Sequence, residues 1–82
     1  MEDQQQIANL IAGLIRLIVD KPDEARIEII SKPGGAIFRL SLAPDDVGKV
    51  IGRDGRTARS LRLILEAIAR KTKQKFNLEI GL

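Results

Sequence analysis

The 82-residue sequence contains no cysteine and no histidine. Without cysteine, neither a disulfide bond nor a thiolate metal site can stabilise the fold. Histidine is the commonest general base and the commonest metal ligand, so its absence argues against an enzyme and against a bound metal. No arrangement of the remaining carboxylates and lysines suggests a convergent catalytic site. We therefore expect a non-catalytic protein with no cofactor and no small-molecule substrate.

Aromatic residues and long apolar runs are also scarce. Phe38 and Phe76 are the only aromatic residues, too few for an RRM-like surface that stacks bases. The apolar segment of residues 7–19 is too short to span a membrane and is interrupted by Asn9 and Arg16. The polar, acidic start, MEDQQQ, lacks the basic region of a secretory signal. These features predict a soluble, cytoplasmic protein that makes no membrane contact.

The net charge of +3 is distributed unevenly along the chain. Residues 49–75 contain nine basic and two acidic side chains, whereas residues 1–48 contain five basic and eight acidic ones. Such asymmetry indicates a polyanionic partner, although a solvated arginine-rich helix face would explain part of it. Lys71, Lys73 and Lys75 either extend the contact with a long polyanion or form a solvated turn.

Apolar periodicity predicts the first helix over residues 4–19, ending near Asp20 because Pro22 disfavours helical geometry at the residue before it. We expect its stripe to pack on a sheet; the stripe consists of Ile7, Leu10, Ile11, Leu14, Leu17 and Ile18. Residues 25–31 and 36–42 then read as two strands, joined by Lys32-Pro33-Gly34-Gly35, whose Pro-Gly step suits a type II turn. On the second strand Phe38, Leu40 and Leu42 share one face, opposite Ile37, Arg39 and Ser41, which indicates one covered side and one partly open side.

Pro44, Asp45 and Asp46 predict a short helix that reaches Ile51, because proline suits a first turn and aspartates complement the helix dipole. A long helix follows over about residues 56–71, with an inner stripe of Ala58, Leu61, Leu65 and Ile68 and with Ile64 beside it. Residues 75–80 are predicted as a final strand, in which Phe76, Leu78 and Ile80 alternate with polar residues. The order αββααβ predicts one α+β domain over residues 1–82, ordered over about 5–81, with three helices on one face of a three-stranded mixed sheet.

The candidate site is Gly52-Arg53-Asp54-Gly55, hereafter the GxxG loop, which joins the two helices. Helix N-termini gather unpaired N–H groups that bind anions, and glycines remove side chains that would hold a phosphate away. Arg53 projects a planar donor fork suited to phosphate. Supporting charge is predicted from Lys49, Arg56 and Arg59, and an apolar floor for bases from Val47, Val50 and Ile51.

Asp54 is the unexpected residue of the loop, because a carboxylate repels phosphate. Its side chain would instead cap the long helix by accepting hydrogen bonds from the first helical amides. We favour the cap. A capping carboxylate competes with phosphate for the same donors, so the affinity for a nucleic-acid phosphate should then be modest.

The run Val50-Ile51-Gly52-Arg53-Asp54-Gly55, within αββααβ order, resembles the Ile-Gly-x-x-Gly loop of a type II KH domain. The stretch LAPDDVGKVIGRDGRTARSLR is similar to the small bacterial single-KH RNA-binding proteins of the KhpA family, and the resemblance extends over about residues 7–80. It implies single-stranded RNA binding, with the loop holding about four nucleotides and the bases between the two helices and the third strand. It also implies a homodimer or a heterodimer with a KhpB (Jag) partner, RNA chaperoning or post-transcriptional regulation, and a link to cell-wall growth and cell shape.

Two other interpretations remain open. In a pure protein-interaction or dimerisation module, the glycines would serve only a tight turn and the apolar groove would bind protein. In a helix-turn-helix, the arginine-rich helix would enter a DNA major groove. The short first helix and the flanking strands fit a KH-type sheet better than that motif.

Overall fold

The computed structural model describes residues 2–81, so Met1 and Leu82 of the predicted domain lie outside it. Its elements follow the αββααβ order expected from the sequence, with single 3₁₀ turns at Pro22–Glu24, Pro44–Asp46 and Arg53–Gly55. The helices are α1 (Glu2–Ile18), α2 (Val47–Ile51) and α3 (Arg56–Thr72), and the strands are β1 (Arg26–Lys32), β2 (Gly35–Ser41) and β3 (Lys75–Gly81).

The sheet is mixed, as predicted, with β2 between its two neighbours. β1 pairs with β2 in antiparallel fashion and β3 pairs with β2 in parallel. The hairpin turn falls at Pro33-Gly34, where Gly34 has a φ of +81°, as a type II turn requires. At the start of the parallel pair, Gly35 lies against the Lys75 backbone, and an added Cβ would come within 2.9 Å of the Lys75 nitrogen.

The core fills the space between the helices and one face of the sheet. Phe38 and Leu40 of β2 are buried against Ile11 and Ile15 of α1 and Leu65 of α3. The opposite face is open and carries charge. There, Arg39 pairs with Glu28 on one neighbouring strand and with Glu79 on the other, at 3.6 and 3.0 Å. Three helices on one face of the sheet are thus confirmed.

Helix α1 packs on a different stripe from the one predicted. Ile7 and Ile11 are buried as expected, but the prediction is wrong for Leu10, Leu14, Leu17 and Ile18, which are exposed, Leu17 by 86%. The buried stripe instead runs through Ala8, Ala12 and Ile15. Alanine keeps the backbone of a helix close to the surface on which it packs, which a leucine would prevent.

Two other features complete the helical layer. Gln4 is buried and ties α1 to the hairpin, because its side chain donates to the Gly35 carbonyl and accepts from the Ser31 hydroxyl at 2.8 Å. In α3, Ala58, Leu61 and Leu65 are buried as predicted, whereas Ile64 is exposed. Within residues 2–81, no helix combines the length and apolar content needed to cross a membrane.

Candidate nucleic-acid interface

Asp46 anchors the helix that leads into the GxxG loop. Its carboxylate, only 1% exposed, accepts hydrogen bonds from the amides of Asp20 and Lys21 at 3.1 and 3.0 Å. The Asp20 amide above all, then the Lys21 amide and the Lys49 ammonium, hold the pKa of Asp46 below its ordinary value against the opposing effect of burial. The end of α1 is therefore fixed to the start of α2.

Lys49 interacts with Asp20 and Asp46 rather than with the GxxG loop. Its ammonium lies 3.1 Å from Asp20 Oδ2 and 3.8 Å from Asp46 Oδ1. The hydrogen bond to Asp20 raises the pKa of Lys49. Two carboxylates thus compensate the charge of Lys49, so this geometry does not favour its predicted role in extending the positive surface.

Three of the four residues of the GxxG loop have backbone conformations that disfavour ordinary side chains. Gly52 has φ 80° and ψ 172°, a region open essentially to glycine alone, whereas Asp54 and Gly55 are left-handed, with φ 56° and 73°. An added Cβ at Gly52 would lie 2.9 Å from the Thr57 Cβ, but nothing lies within 4 Å of one at Gly55. Gly52 is therefore required by the turn itself, while the backbone at Gly55 is open to approach.

The amides of the loop divide into two groups. The Gly52 amide donates to the Gly48 carbonyl at 2.9 Å, and the Gly55 amide donates to the Gly52 carbonyl at 3.1 Å. For the amides of Arg53 and Asp54, no acceptor is found in the part of the chain that the structure describes. Two of the loop amides thus form hydrogen bonds within the turn, and the other two can bind an anion.

The predicted helix cap by Asp54 is wrong. Gly55 occupies the N-cap position of α3, and no side chain caps it. The left-handed backbone of Asp54 turns the residue outward, and only its carbonyl is used, as the acceptor of a 3.3 Å bond from Arg59 Nη2. The exposed carboxylate of Asp54 therefore stands beside the available amides, where it repels a phosphate.

A groove of about 500 Å³ begins at the loop, between α2, α3 and β3, where the sequence predicted it. Of the three apolar residues proposed for its floor, only Ile51 lines it, with 39% of its surface exposed. Val50 is fully buried in the core, and Val47 is half-buried against the same core. The remaining lining residues are Gly55, Ala58, Arg59, Arg62 and Ile80.

Three of these lining residues were not proposed from the sequence as part of the site: Ala58, Arg62 and Ile80. Arg62 continues the three-residue spacing of Arg56 and Arg59, a signal that could have identified it. Its Nη2 donates to the Leu78 carbonyl at 3.1 Å, which holds the guanidinium against β3. The sequence places Ala58 on the inner stripe of α3 and Ile80 among the apolar residues that alternate along β3. Both border the groove because the small α2 leaves that end of the core uncovered.

Strand β3 presents its outer edge to the groove. The Lys75 amide donates to Gly34 and the Gly81 carbonyl accepts from Leu42, so the odd-numbered residues of β3 face β2. Backbone groups alternate between the two sides of a strand. Those of Leu78 and Ile80 therefore face outward. The Leu78 carbonyl accepts from Arg62, and the Leu78 amide and both backbone groups of Ile80 are available to hydrogen-bond a ligand.

The geometry agrees with a comparison of the whole chain with known protein families. A family model described as KhpA/KhpB, KH domain, matches residues 8–80. The chain belongs to this KH-domain family. The chain is similar to RNA-binding protein KhpA of Borreliella burgdorferi, with 39% identity over 80 residues and 98% of each chain covered.

Other KhpA/KhpB family members match the chain over most of their own length. RNA-binding protein KhpA of Chlamydia pneumoniae is 37% identical over 70 residues, which cover 85% of this chain and 90% of that protein. RNA-binding protein KhpA of Mycobacterium bovis is 42% identical over 62 residues, which cover 76% and 78%. No solved structure matches. Family membership and the three-stranded sheet favour the KH interpretation over the helix-turn-helix one.

In this KhpA/KhpB-type KH domain, basic side chains without an ion-pair partner are concentrated in one region, with four others (Arg16, Lys21, Arg26 and Lys32) elsewhere on α1, β1 and the turn between them. Every ion pair found among the side chains of residues 3–81 involves Arg39 or Lys49. The basic side chains from the loop to the start of β3 therefore form none there; they are Arg53, Arg56, Arg59, Arg62, Arg70, Lys71, Lys73 and Lys75.

Proposed function

We propose that this chain binds single-stranded RNA without catalysing a reaction, by holding the sugar–phosphate backbone at the GxxG loop. The observation that carries the proposal is that the amides of Arg53 and Asp54 are unbonded and lie in the chain between Ile51 and Gly55, which both line a groove with Arg59 and Arg62. Several relatives in the same family bear the name RNA-binding protein, which supports the same function here.

The arrangement assigns separate parts of the strand to separate surfaces. Phosphates contact the two loop amides and the exposed side chains of Arg53, Arg56 and Arg59. Bases lie in the groove against Ile51 and Ile80, where outward backbone groups of β3 can hydrogen-bond their edges. A KH loop of this kind clamps about four nucleotides.

Binding by one such site is expected to be modest and strongly dependent on salt. A strand that neutralises three or four positive charges gives a log–log salt slope of about −2 to −3. The affinity should therefore fall roughly 20- to 50-fold between 50 and 200 mM salt. The exposed Asp54 carboxylate weakens the contact further at low salt.

We further propose that the protein acts in the cytoplasm as a homodimer or with a KhpB/Jag-type partner, in RNA chaperoning or post-transcriptional regulation linked to cell-wall growth and cell shape. Family membership supports these roles. The exposed leucines of α1 (Leu10, Leu14 and Leu17) and the exposed Leu63 and Ile64 of α3 favour association, because large exposed apolar groups often mark interaction sites. Linking two weak RNA sites would raise the affinity through effective concentration.

A protein-interaction module is the second candidate. Two observations favour it: Gly52 is required by the turn itself, and apolar side chains of α1 and α3 are exposed. In that case the GxxG loop would be structural, and no RNA would be needed for the activity of the protein.

Fluorescence anisotropy with a labelled single-stranded RNA and a duplex DNA of equal length tests the proposal. Arg53→Asp should abolish most RNA binding, because it reverses a charge at the phosphates. Arg26→Asp is the matched control, since Arg26 is also exposed but lies on β1, at the opposite edge of the sheet. Unchanged RNA binding by Arg53→Asp, with an unchanged circular-dichroism spectrum, would favour the interaction module, and a preference for duplex DNA would favour the helix-turn-helix interpretation.

A further inference from the structure

We infer that the bound RNA strand continues beyond the groove at the GxxG loop, along the seam between α3 and β3, as far as Arg70 and Lys75. The inference rests on the proposed function and extends its binding site. We call this second region the α3–β3 seam; it is the surface between Arg62 and Lys75 on the outer edge of β3.

The seam is continuous with the loop groove. A second groove of about 290 Å³ shares Arg62 with the first. A third, of about 430 Å³, shares Glu66, Phe76 and Asn77 with the second and is also lined by Arg70 and Lys75. Three successive grooves thus follow the outer edge of β3 from the loop to the far end of α3.

Charge marks both ends of the seam. Arg62 lies at its junction with the loop groove, and Arg70 and Lys75 lie at its far end. All three are exposed and form no ion pair with the side chains of residues 3–81. Single strands bind in such positively charged grooves, which follow the phosphate backbone.

The fold separates members of the basic cluster Lys71, Lys73 and Lys75, because Lys75 lines the seam and Lys71 does not. Lys71 lies on the other side of α3 from Arg70, in a groove between α1 and α3 that is also lined by Asp3 and Ile7. Of the two adjacent basic residues, only Arg70 can contact a strand on the seam. The pair therefore provides a control with the same charge at a neighbouring position.

The middle of the seam suits bases rather than phosphates. Phe76 is half-buried and packs edge-on against Phe38, with the ring centroids 5.5 Å apart. The rest of its surface lines the second and third grooves. Aromatic surfaces in single-strand grooves contact bases. The Glu66 carboxylate beside it repels phosphate but accepts hydrogen bonds from base N–H groups.

The length of the seam sets the size of the additional contact. Three residue steps along β3, from Leu78 to Lys75, span about 10 Å. A stacked strand rises about 3.4 Å per nucleotide and an extended one about twice that, so the seam adds roughly two to three nucleotides. Together with about four at the loop, the full footprint is about six to seven nucleotides.

The test compares labelled oligouridylates of five and ten nucleotides at 50 mM salt. A four-nucleotide site has two registers on the shorter strand and seven on the longer, so about a 3.5-fold gain in affinity needs no second contact. For the wild-type chain we expect a gain of about 20-fold or more. We also expect a salt slope that is steeper by about 1.4 for the ten-nucleotide strand, as for two further phosphate contacts.

The double variant Arg70→Ala/Lys75→Ala should reduce that gain to about 3.5-fold and leave the affinity for the short strand unchanged. The control Lys71→Ala/Arg26→Ala removes the same charge off the seam and should keep the gain within about twofold of wild type. Glu66→Gln should strengthen binding of the ten-nucleotide strand only. Equal losses in the seam and control variants, or a wild-type gain of only about 3.5-fold, would overturn the seam while the loop site stands. If neither strand binds, the proposed function and the seam both fail.

Discussion

The guanidinium of Arg62 donates a 3.1 Å hydrogen bond to the main-chain carbonyl of Leu78, across the space between α3 and β3. The bond uses one of the five N–H donors of arginine and leaves the rest of the fork available. It also immobilises the side chain where the loop groove meets the α3–β3 seam. Less side-chain entropy is then lost when RNA binds.

Replacing Arg62 should therefore affect binding more than folding. For Arg62→Ala we expect RNA affinity to fall roughly five- to tenfold, while the free energy of unfolding falls by only about 1 kcal/mol, because one solvent-accessible hydrogen bond is lost. Arg62→Lys restores the charge but not the planar fork, and should recover only part of the affinity. Anisotropy and urea denaturation measure the two quantities; full recovery in the lysine variant would show that only charge matters.

The two loop glycines should respond differently to alanine. Gly52→Ala combines a forbidden backbone region with a clash against Thr57, so we expect a loss of about 3 kcal/mol or more. Gly55→Ala carries only the left-handed penalty of about 1–2 kcal/mol, because its Cβ meets open space. That Cβ would nevertheless stand above the loop and should weaken RNA binding about tenfold. Urea denaturation distinguishes the two variants, and equal destabilisation would contradict the geometry.

Asp54 should restrain RNA binding without supporting the fold. Since it caps nothing and its backbone is left-handed, Asp54→Asn should change stability by less than about 0.5 kcal/mol, as asparagine tolerates that conformation. RNA affinity at low salt should rise about threefold, the effect expected of removing one like charge about 7 Å away in water. Anisotropy measures the change; Asp3→Asn removes the same charge from exposed α1 surface and should leave the affinity unaltered.

The buried carboxylate of Asp46 should make stability depend on acidity. Its pKa is lowered in the folded state, so its contribution is fully present above the unfolded value of 3.8 and is lost as the pH falls through the lower folded value. Asp46→Asn should lower the urea midpoint at pH 7 and should lose less stability than wild type between pH 7 and pH 3. Asp45→Asn, at the exposed neighbouring position, serves as the control. If the Asp46→Asn variant lost as much stability on acidification as wild type, other carboxylates would govern it.

Much of the fold could be predicted because local patterns agreed with one another. Alternation identified Phe38, Leu40 and Leu78 as inward-facing, and the Pro33-Gly34 step identified the hairpin. The failure in α1 has a physical cause: apolar residues surround most of that helix, so periodicity alone does not select a face. Alanines such as Ala8 decide the outcome by allowing close contact, although they contribute little to a hydrophobic pattern.

The candidate site was predicted less completely than the fold. Glycine spacing located the loop, and the order of elements located the groove, but neither states which amides the turn itself uses. The αL backbone of Asp54 and the pairing of Lys49 with Asp20 depend on contacts across the fold. Val50 illustrates the same limit, since its neighbour Ile51 lines the groove while Val50 fills the core.

The alternation of Phe76, Leu78 and Ile80 with polar residues makes β3 intolerant of a one-residue shift against β2. If β3 slipped by one residue so that Glu79 took the place of Ile80, its pleat would invert and Glu79 would lie on the side that faces α3. A carboxylate would then border the loop groove and repel the polyanion that the arginines attract. The alignment that buries the apolar residues of β3 thus also keeps a negative charge out of the groove.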